Sequence, residues 1–206
     1  MTVYIEMIIG IAIGAGAGAV STYFADKRRD KIHRLNLLRS FRDTRKMLLL
    51  RAVDETNCAN ALILRIHNGG GKLSDGKNWY SSVVAEAPER RQVSAFASWQ
   101  NVIVQDSYKE LIRSVREKKT EYLYTDKMPA GDLRTAYEAF GVVGSVVIEL
   151  YSDEYHYYYM SFPVREHWDD FTLSADQHMI KSTAHQMQEK YETFGALGVL
   201  KYDIRY

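Results

Sequence analysis

The sequence predicts an α+β protein in which an N-terminal transmembrane helix is followed by an antiparallel sheet flanked by helices. Three observations carry this expectation. A 22-residue apolar stretch, Val3 to Phe24, holds a single charge, Glu6. A segment without Pro or Gly, residues 26 to 56, repeats apolar residues at helical spacing. Beyond it, short β-branched and aromatic runs bounded by turn residues alternate with amphipathic stretches.

The apolar stretch comes first. At about 1.5 Å of rise per residue it measures roughly 33 Å as a helix, enough for a bilayer's hydrocarbon core. Glu6 lies close enough to its start to reach the interface, and Tyr4, Tyr23 and Phe24 stand where aromatic belts form. The flank DKRRDK places Lys27, Arg28, Arg29 and Lys31 after the span, and no Lys or Arg precedes it. The positive-inside tendency therefore predicts a single-pass protein of the inner (plasma) membrane, N-terminus outside and the remaining chain cytoplasmic. A cleaved signal peptide would carry its positive charge before the run, and a buried core helix is rarely this long. Gly10, Gly14 and Gly18 recur at every fourth position, widened by Ala15 and Ala19, and form a smooth face on which a second helix can pack. Residues 1–25 are accordingly read as the anchor, with self-association as its consequence.

Residues 26–56 are read as a basic amphipathic stalk that becomes the first helix of the domain. Ile32, Leu35, Leu38, Phe41, Leu48, Leu49 and Ala52 form its apolar stripe, with Arg34, Arg39, Arg42, Arg45 and Lys46 on the other faces. Between positions 26 and 51 ten Lys or Arg stand against three Asp. So basic a segment beside a membrane is attracted to anionic lipid at about 1 kcal/mol per charge, which makes lipid a better-supported partner than nucleic acid.

From Asn60 the period changes to that of strands. ALILRIHN and NWYSSVVAEA form two strands joined by a glycine-rich turn, in which His67 is expected to hydrogen-bond the loop. SYKELIRSVREKK is a helix with Tyr108, Leu111, Ile112 and Val115 on one face. TEYLYTD is a short strand; DLRTAYEAF is a helix capped by Asp132 and ended by Gly141. VVGSVVIELY, expected to be central and covered on both faces, pairs with YHYYYMSFP across Ser152 to Glu154. In the latter strand Tyr155, Tyr157 and Tyr159 share a side. A last helix, capped by Ser174, buries Met179, Ile180, Ala184, Met187 and Tyr191. Residues 57–193 thus make one domain, and 194–206 a C-terminal tail.

This order of elements resembles the GAF domain family over about residues 40 to 193. The likeness lies in the helix ending at Phe140 and Gly141, the strand VVGSVVIEL, the strand YHYYYMSFPV, the Phe of DDF before Ser174 and the terminal helix. It implies a GAF/PAS-like sheet that either holds a small molecule against its crossing helices or serves as a dimerising module. RIHNGGG also resembles a turn found in membrane-anchored proteins of unassigned function in phage and bacterial genomes. The Asn-Lys, Phe and Asp-Glu signature of cyclic-nucleotide-binding members does not occur here. Bilin-binding members need a cysteine on the pocket, and members that reduce methionine sulfoxide need several, whereas the single Cys58 ends the first helix.

No catalytic residues, metal ligands or cofactor are expected. His178 and His185 share a helix but lie about 10 Å apart along it, on a solvated face. If a ligand site exists, the residues suited to it are Trp79, Trp99, Tyr122, Tyr124, Asp126 and Tyr137, aromatic rings with polar tips facing the helices. The reading is of a self-associating, non-enzymatic structural or regulatory scaffold, with a phage-encoded membrane assembly as one setting for it; the alternative is a small-molecule sensor that signals through a partner protein.

Overall fold

The computed structural model describes the backbone of residues 2–75, 78–88, 98–166, 170–200 and 203, with side chains for all of these except residues 2–21, 88, 170–173 and 175. Helix α1 (Thr2–Asp54) is continuous over 53 residues, as the absence of Pro and the scarcity of breakers after Gly18 allow. The chain forms two compact units, Met1–Ser40 and Phe41–Tyr206.

In the first unit every described side chain from Thr22 to Asn36 is exposed, Lys27, Arg28, Arg29 and Lys31 among them. Ile32 and Leu35, members of the expected apolar stripe, are 49% and 47% exposed. Among the described residues no helix is long and apolar enough to cross a membrane. The expected anchor is helical, but its side chains up to Ser21, and so the face of Gly10, Gly14 and Gly18, lie outside the described residues.

The second unit is built on an antiparallel six-stranded sheet. Its strands are β1 (Asn60–His67), β2 (Tyr80–Pro88), β3 (Val102–Ile103), β4 (Thr120–Tyr124), β5 (Gly144–Ser152) and β6 (His156–Val164), in the order β3-β2-β1-β6-β5-β4. β1 and β6 are the central pair, with Leu64 opposite Tyr159 and Ile66 opposite Tyr157. VVGSVVIEL is buried on both faces as expected, but as β5 it lies one strand from the edge. β3 went unanticipated because two residues carry no period.

Among the described residues, the unit also holds three further α-helices: α2 (Asp106–Lys118), α3 (Asp132–Ala139) and α4 (Asp170–Ala196). On one face of the sheet α2 brings Tyr108, Ile112 and Val115 against Leu64, Ile66, Val147, Tyr157 and Tyr159, the packing its periodicity predicts. On the other face, the end of α1 and α4 carry Phe41, Leu49, Ile180, Met187 and Tyr191, all fully buried. Phe41 meets Tyr191 edge-on at 5.1 Å, and Tyr191 lies 4.9 Å from Tyr158. Each such side chain contributes roughly 1.5–3 kcal/mol of burial.

Several local expectations change. Gly131, not Asp132, is the N-cap of α3, and Asp132 occupies the first turn, where a carboxylate still favours the helix dipole. Gly141 ends α3 at φ 65°, as predicted. α4 begins four residues before Ser174, which is therefore inside the helix. Tyr155 sits in the β5–β6 turn, 44% exposed, and does not join Tyr157 and Tyr159.

Arg45 is the largest reversal. Placed on the solvent side by the sequence, it is 4% exposed. Its guanidinium donates to Asp203, to the Tyr191 hydroxyl at 3.3 Å and to the Val84 carbonyl at 3.2 Å, while Arg42 donates to Asp203 at 2.8 Å. The segment expected to be a tail thus supplies Val199, Leu200 and Asp203 to the interior.

Candidate functional site

The candidate site lies on the α2–α3 face of the sheet, where α3 spans the gap between α2 and the β5–β6 end. Leu62, Leu64 and Val83 form its floor; Trp99, Tyr108, Leu133, Tyr137 and Phe140 form its walls; Asn60 and Arg165 add polar groups. The space enclosed is about 80 Å³. Ligand pockets commonly run from about 300 to 1,000 Å³, so this cavity is small by comparison.

Its hydroxyls are occupied with one another. The Tyr108 and Tyr159 hydroxyls share a short hydrogen bond, Tyr108 also meets Ser81 Oγ at 3.0 Å, and Trp99 Nε1 donates to the same Ser81 oxygen at 3.1 Å. Ser145 and Ser161 Oγ lie 2.7 Å apart. Burial pushes the Tyr108 hydroxyl up to about 12 and that of Tyr159 well above its ordinary value, the neighbouring Tyr108 adding to the effect. Burial raises Tyr137 as well, partly opposed by hydrogen bonds to Ser161 and Ser145. All three are therefore neutral at physiological pH and act as hydrogen-bonding packing groups, not as bases. One acceptor stands apart: Asn60 donates through Nδ2 to Glu86 at 3.1 Å, while its buried Oδ1 has no hydrogen-bond partner among the described residues.

Of the six residues singled out for a ligand, the fold brings Trp99 and Tyr137 into this cavity. Trp79 is half-buried against the same core, with Nε1 donating to the Leu73 carbonyl at 3.1 Å, and does not line it. Tyr122 and Tyr124 lie on the edge strand β4 and border a separate, shallower hollow of about 330 Å³ between β4, α2 and α3. Asp126 is exposed and borders neither. Tyr108, Tyr159, Ser161 and Asn60 were not singled out: periodicity marked Tyr108 and Tyr159 as buried, but only the packing of α3 across them shows that they surround a space.

The remaining chemistry-bearing residues are accounted for locally. His67 Nδ1 accepts from the Gly69 amide at 3.3 Å, Nε2 lies 3.4 Å from Ser82 Oγ, and the ring stacks on Tyr80. Burial, with Arg65 and His156 adding to it, lowers its pKa to about 4. This is the loop-holding role the glycine-rich turn predicts. Burial pushes the Cys58 thiol up to about 12, so it is a poor nucleophile. His178 is exposed and His185 faces Glu189 at 3.6 Å on the solvated side of α4. Among the described residues no three His, Cys, Asp or Glu side chains converge as metal ligands.

An antiparallel sheet with helices on both faces, one of them closing over a small cavity, defines a class of α+β domain, and solved structures place it more closely. The chain is similar to the blue-light-absorbing form of the Thermosynechococcus elongatus PixJ GAF domain, with a TM-score of 0.50 at 11% identity, over 83% of this chain and 98% of that one. It is also similar to the ligand-binding domain of Pseudomonas aeruginosa VqsR (TM-score 0.49, 10% identity, 79% and 96% covered). A third likeness is to the GAF domain of a Bacillus halodurans two-component sensor histidine kinase (TM-score 0.48, 11% identity, 73% and 95% covered). The fold is GAF-like, as the order of elements implied. No family model matches the chain, and no curated protein matches it.

Proposed function

We propose that this protein is a non-enzymatic, GAF-like scaffold or regulatory module, anchored by the apolar first part of α1 and self-associating. The observation that carries the reading is the state of the cavity: about 80 Å³, ringed by hydroxyls that already satisfy one another. A domain built this way spends its polar groups on rigidity, since a satisfied buried network favours one packing. The exposed run Lys27, Arg28, Arg29 and Lys31 follows directly on the apolar stretch, which supports a cytoplasmic domain with anionic lipid as its surface partner. A role within a phage membrane assembly rests on the resemblance of RIHNGGG alone.

The sensor reading has one specific observation in its favour, the unpartnered Asn60 Oδ1 beside the cavity. It calls for a ligand of a few heavy atoms bearing one hydrogen-bond donor, and for a partner protein to receive the signal. The two readings separate by thermal shift of the parent protein against nucleotides, tetrapyrroles, amino acids and small amides. The scaffold reading expects no shift from any of them. A ligand at 100 times its Kd stabilises by about 2.7 kcal/mol, and a shift of that order would replace the scaffold with the sensor.

A further inference from the structure

Among the described residues Arg65 is a buried cation without a counter-ion: it is 8% exposed, its Nε has no hydrogen-bond partner, and no carboxylate pairs with it. The two carboxylates whose charges reach Tyr158 together with that of Arg65 are engaged elsewhere. Asp203 is held by Arg42 and Arg45, and Asp153 accepts the Tyr155 and His156 amides at 2.8 and 2.7 Å. A guanidinium left unpaired in the interior is costly, and an anion beside it removes that cost.

The neighbouring side chains are donors. Leu64 and Ile66 face α2, so Arg65 and His67 share the opposite face of β1. Ser82 lies across from Arg65 on β2, and Tyr80 and His156 flank His67 on β2 and β6. His67 Nδ1 accepts from the Gly69 amide, which puts the ring proton on Nε2, 3.4 Å from Ser82 Oγ. Ser82 Oγ donates in turn to Asn101 Oδ1, also at 3.4 Å. Both bonds are longer than usual, and both donors can turn to a stronger acceptor. Arg65 and Ser82 are buried, whereas His67, Tyr80 and His156 are half-buried, so the row opens to solvent at the glycine-rich turn.

We infer that this end of the sheet binds a single phosphate group, free or carried on a small molecule, through the Arg65 guanidinium, His67 Nε2–H and the Ser82 hydroxyl. The site lies on the face away from the cavity and does not rest on the scaffold or the sensor reading. A guanidinium fork matches two oxygens of such a group. The imidazole and the hydroxyl supply donors for a third, which a phosphate has and a carboxylate lacks. The charges around His67 agree with this. Arg65 and His156 both oppose its protonation, and the nearby carboxylate, Asp153, lies 3.5 Å from His156 Nδ1. An anion between Arg65 and His67 reverses that balance. Because the row is open on one side, the ion exchanges with solvent and is not retained.

Thermal unfolding of the full chain in mild detergent tests this, with inorganic phosphate replacing chloride at neutral pH and constant ionic strength. The parent should melt several degrees higher in phosphate, since a ligand that binds only the folded state stabilises it. Arg65→Met removes an uncompensated charge, so it should melt no lower than the parent in chloride and gain nothing from phosphate. Ser82→Ala should keep part of the gain. Glycerol phosphate and acetate, run in parallel, distinguish the sources. An equal gain from glycerol phosphate assigns the site to a phosphate carried on a small molecule, a gain from inorganic phosphate alone assigns it to the free ion, and an equal gain from acetate overturns the assignment to phosphate. A shift given by a nucleotide and lost in Arg65→Met reports this site, not the cavity. Should Arg65→Met fail to fold, an NMR titration of His67 in the parent decides: phosphate, still an anion there, should move the midpoint up from about 4. An unmoved midpoint, or a gain that Arg65→Met retains, overturns the site. So does a parent that gains nothing beside an Arg65→Met variant melting far below it, because the chain then supplies the counter-charge itself.

Discussion

On one face of the sheet, Tyr108, Tyr159 and Ser81 share neutral hydroxyls around a small space, whereas on the other Arg45 and Asp203 form a buried ion pair. The two solutions carry different penalties when broken. A hydroxyl that loses its partner leaves one neutral group unsatisfied, at about 1–3 kcal/mol. A buried guanidinium that loses its carboxylate is left as an uncompensated charge, at about 3–5 kcal/mol. The charged face is thus the more rigidly specified, and it is the face that ties the C-terminal segment to the end of α1.

The largest test of this contrast is Asp203→Ala. Asp203 and Arg45 have side chains 2% and 4% exposed, so the variant should lose about 3–5 kcal/mol in denaturant unfolding. The double variant Arg45→Met/Asp203→Leu should recover most of that, because the charge goes with its partner. A loss under 1 kcal/mol for Asp203→Ala would mean that Arg45 reaches solvent and that the faces do not differ. The smaller test lies on the other face. Tyr159→Phe removes one hydroxyl and leaves Tyr108 bonded to Ser81, so a loss of about 1–2 kcal/mol is expected; a loss as large as that of Asp203→Ala would erase the distinction.

The same contrast separates what the sequence discloses from what it hides. The hydroxyl face is carried by α2, whose period places Tyr108, Ile112 and Val115 on one side, and by strands whose alternation places Tyr157 and Tyr159 together. Both periods can be read without a structure. The charged face depends on a pair 158 positions apart in sequence. Arg45 in a basic helix is assigned to solvent by every local rule, and only Asp203, in a segment without period, brings it inside. The cavity falls between these cases. Trp99 and Tyr137 carry a legible signal of aromatic rings with polar tips, but Tyr122, Tyr124 and Asp126 carry the same signal and stand elsewhere, because alternation along β4 does not tell which way the chain enters the sheet.

The central claim is that this GAF-like module associates with itself and keeps its interior for packing. Native mass spectrometry of the full chain released from mild detergent reads both parts at once. The account predicts a dimer or a higher even-numbered assembly at the mass of the polypeptide alone. A monomer carrying the additional mass of a retained small molecule would contradict it.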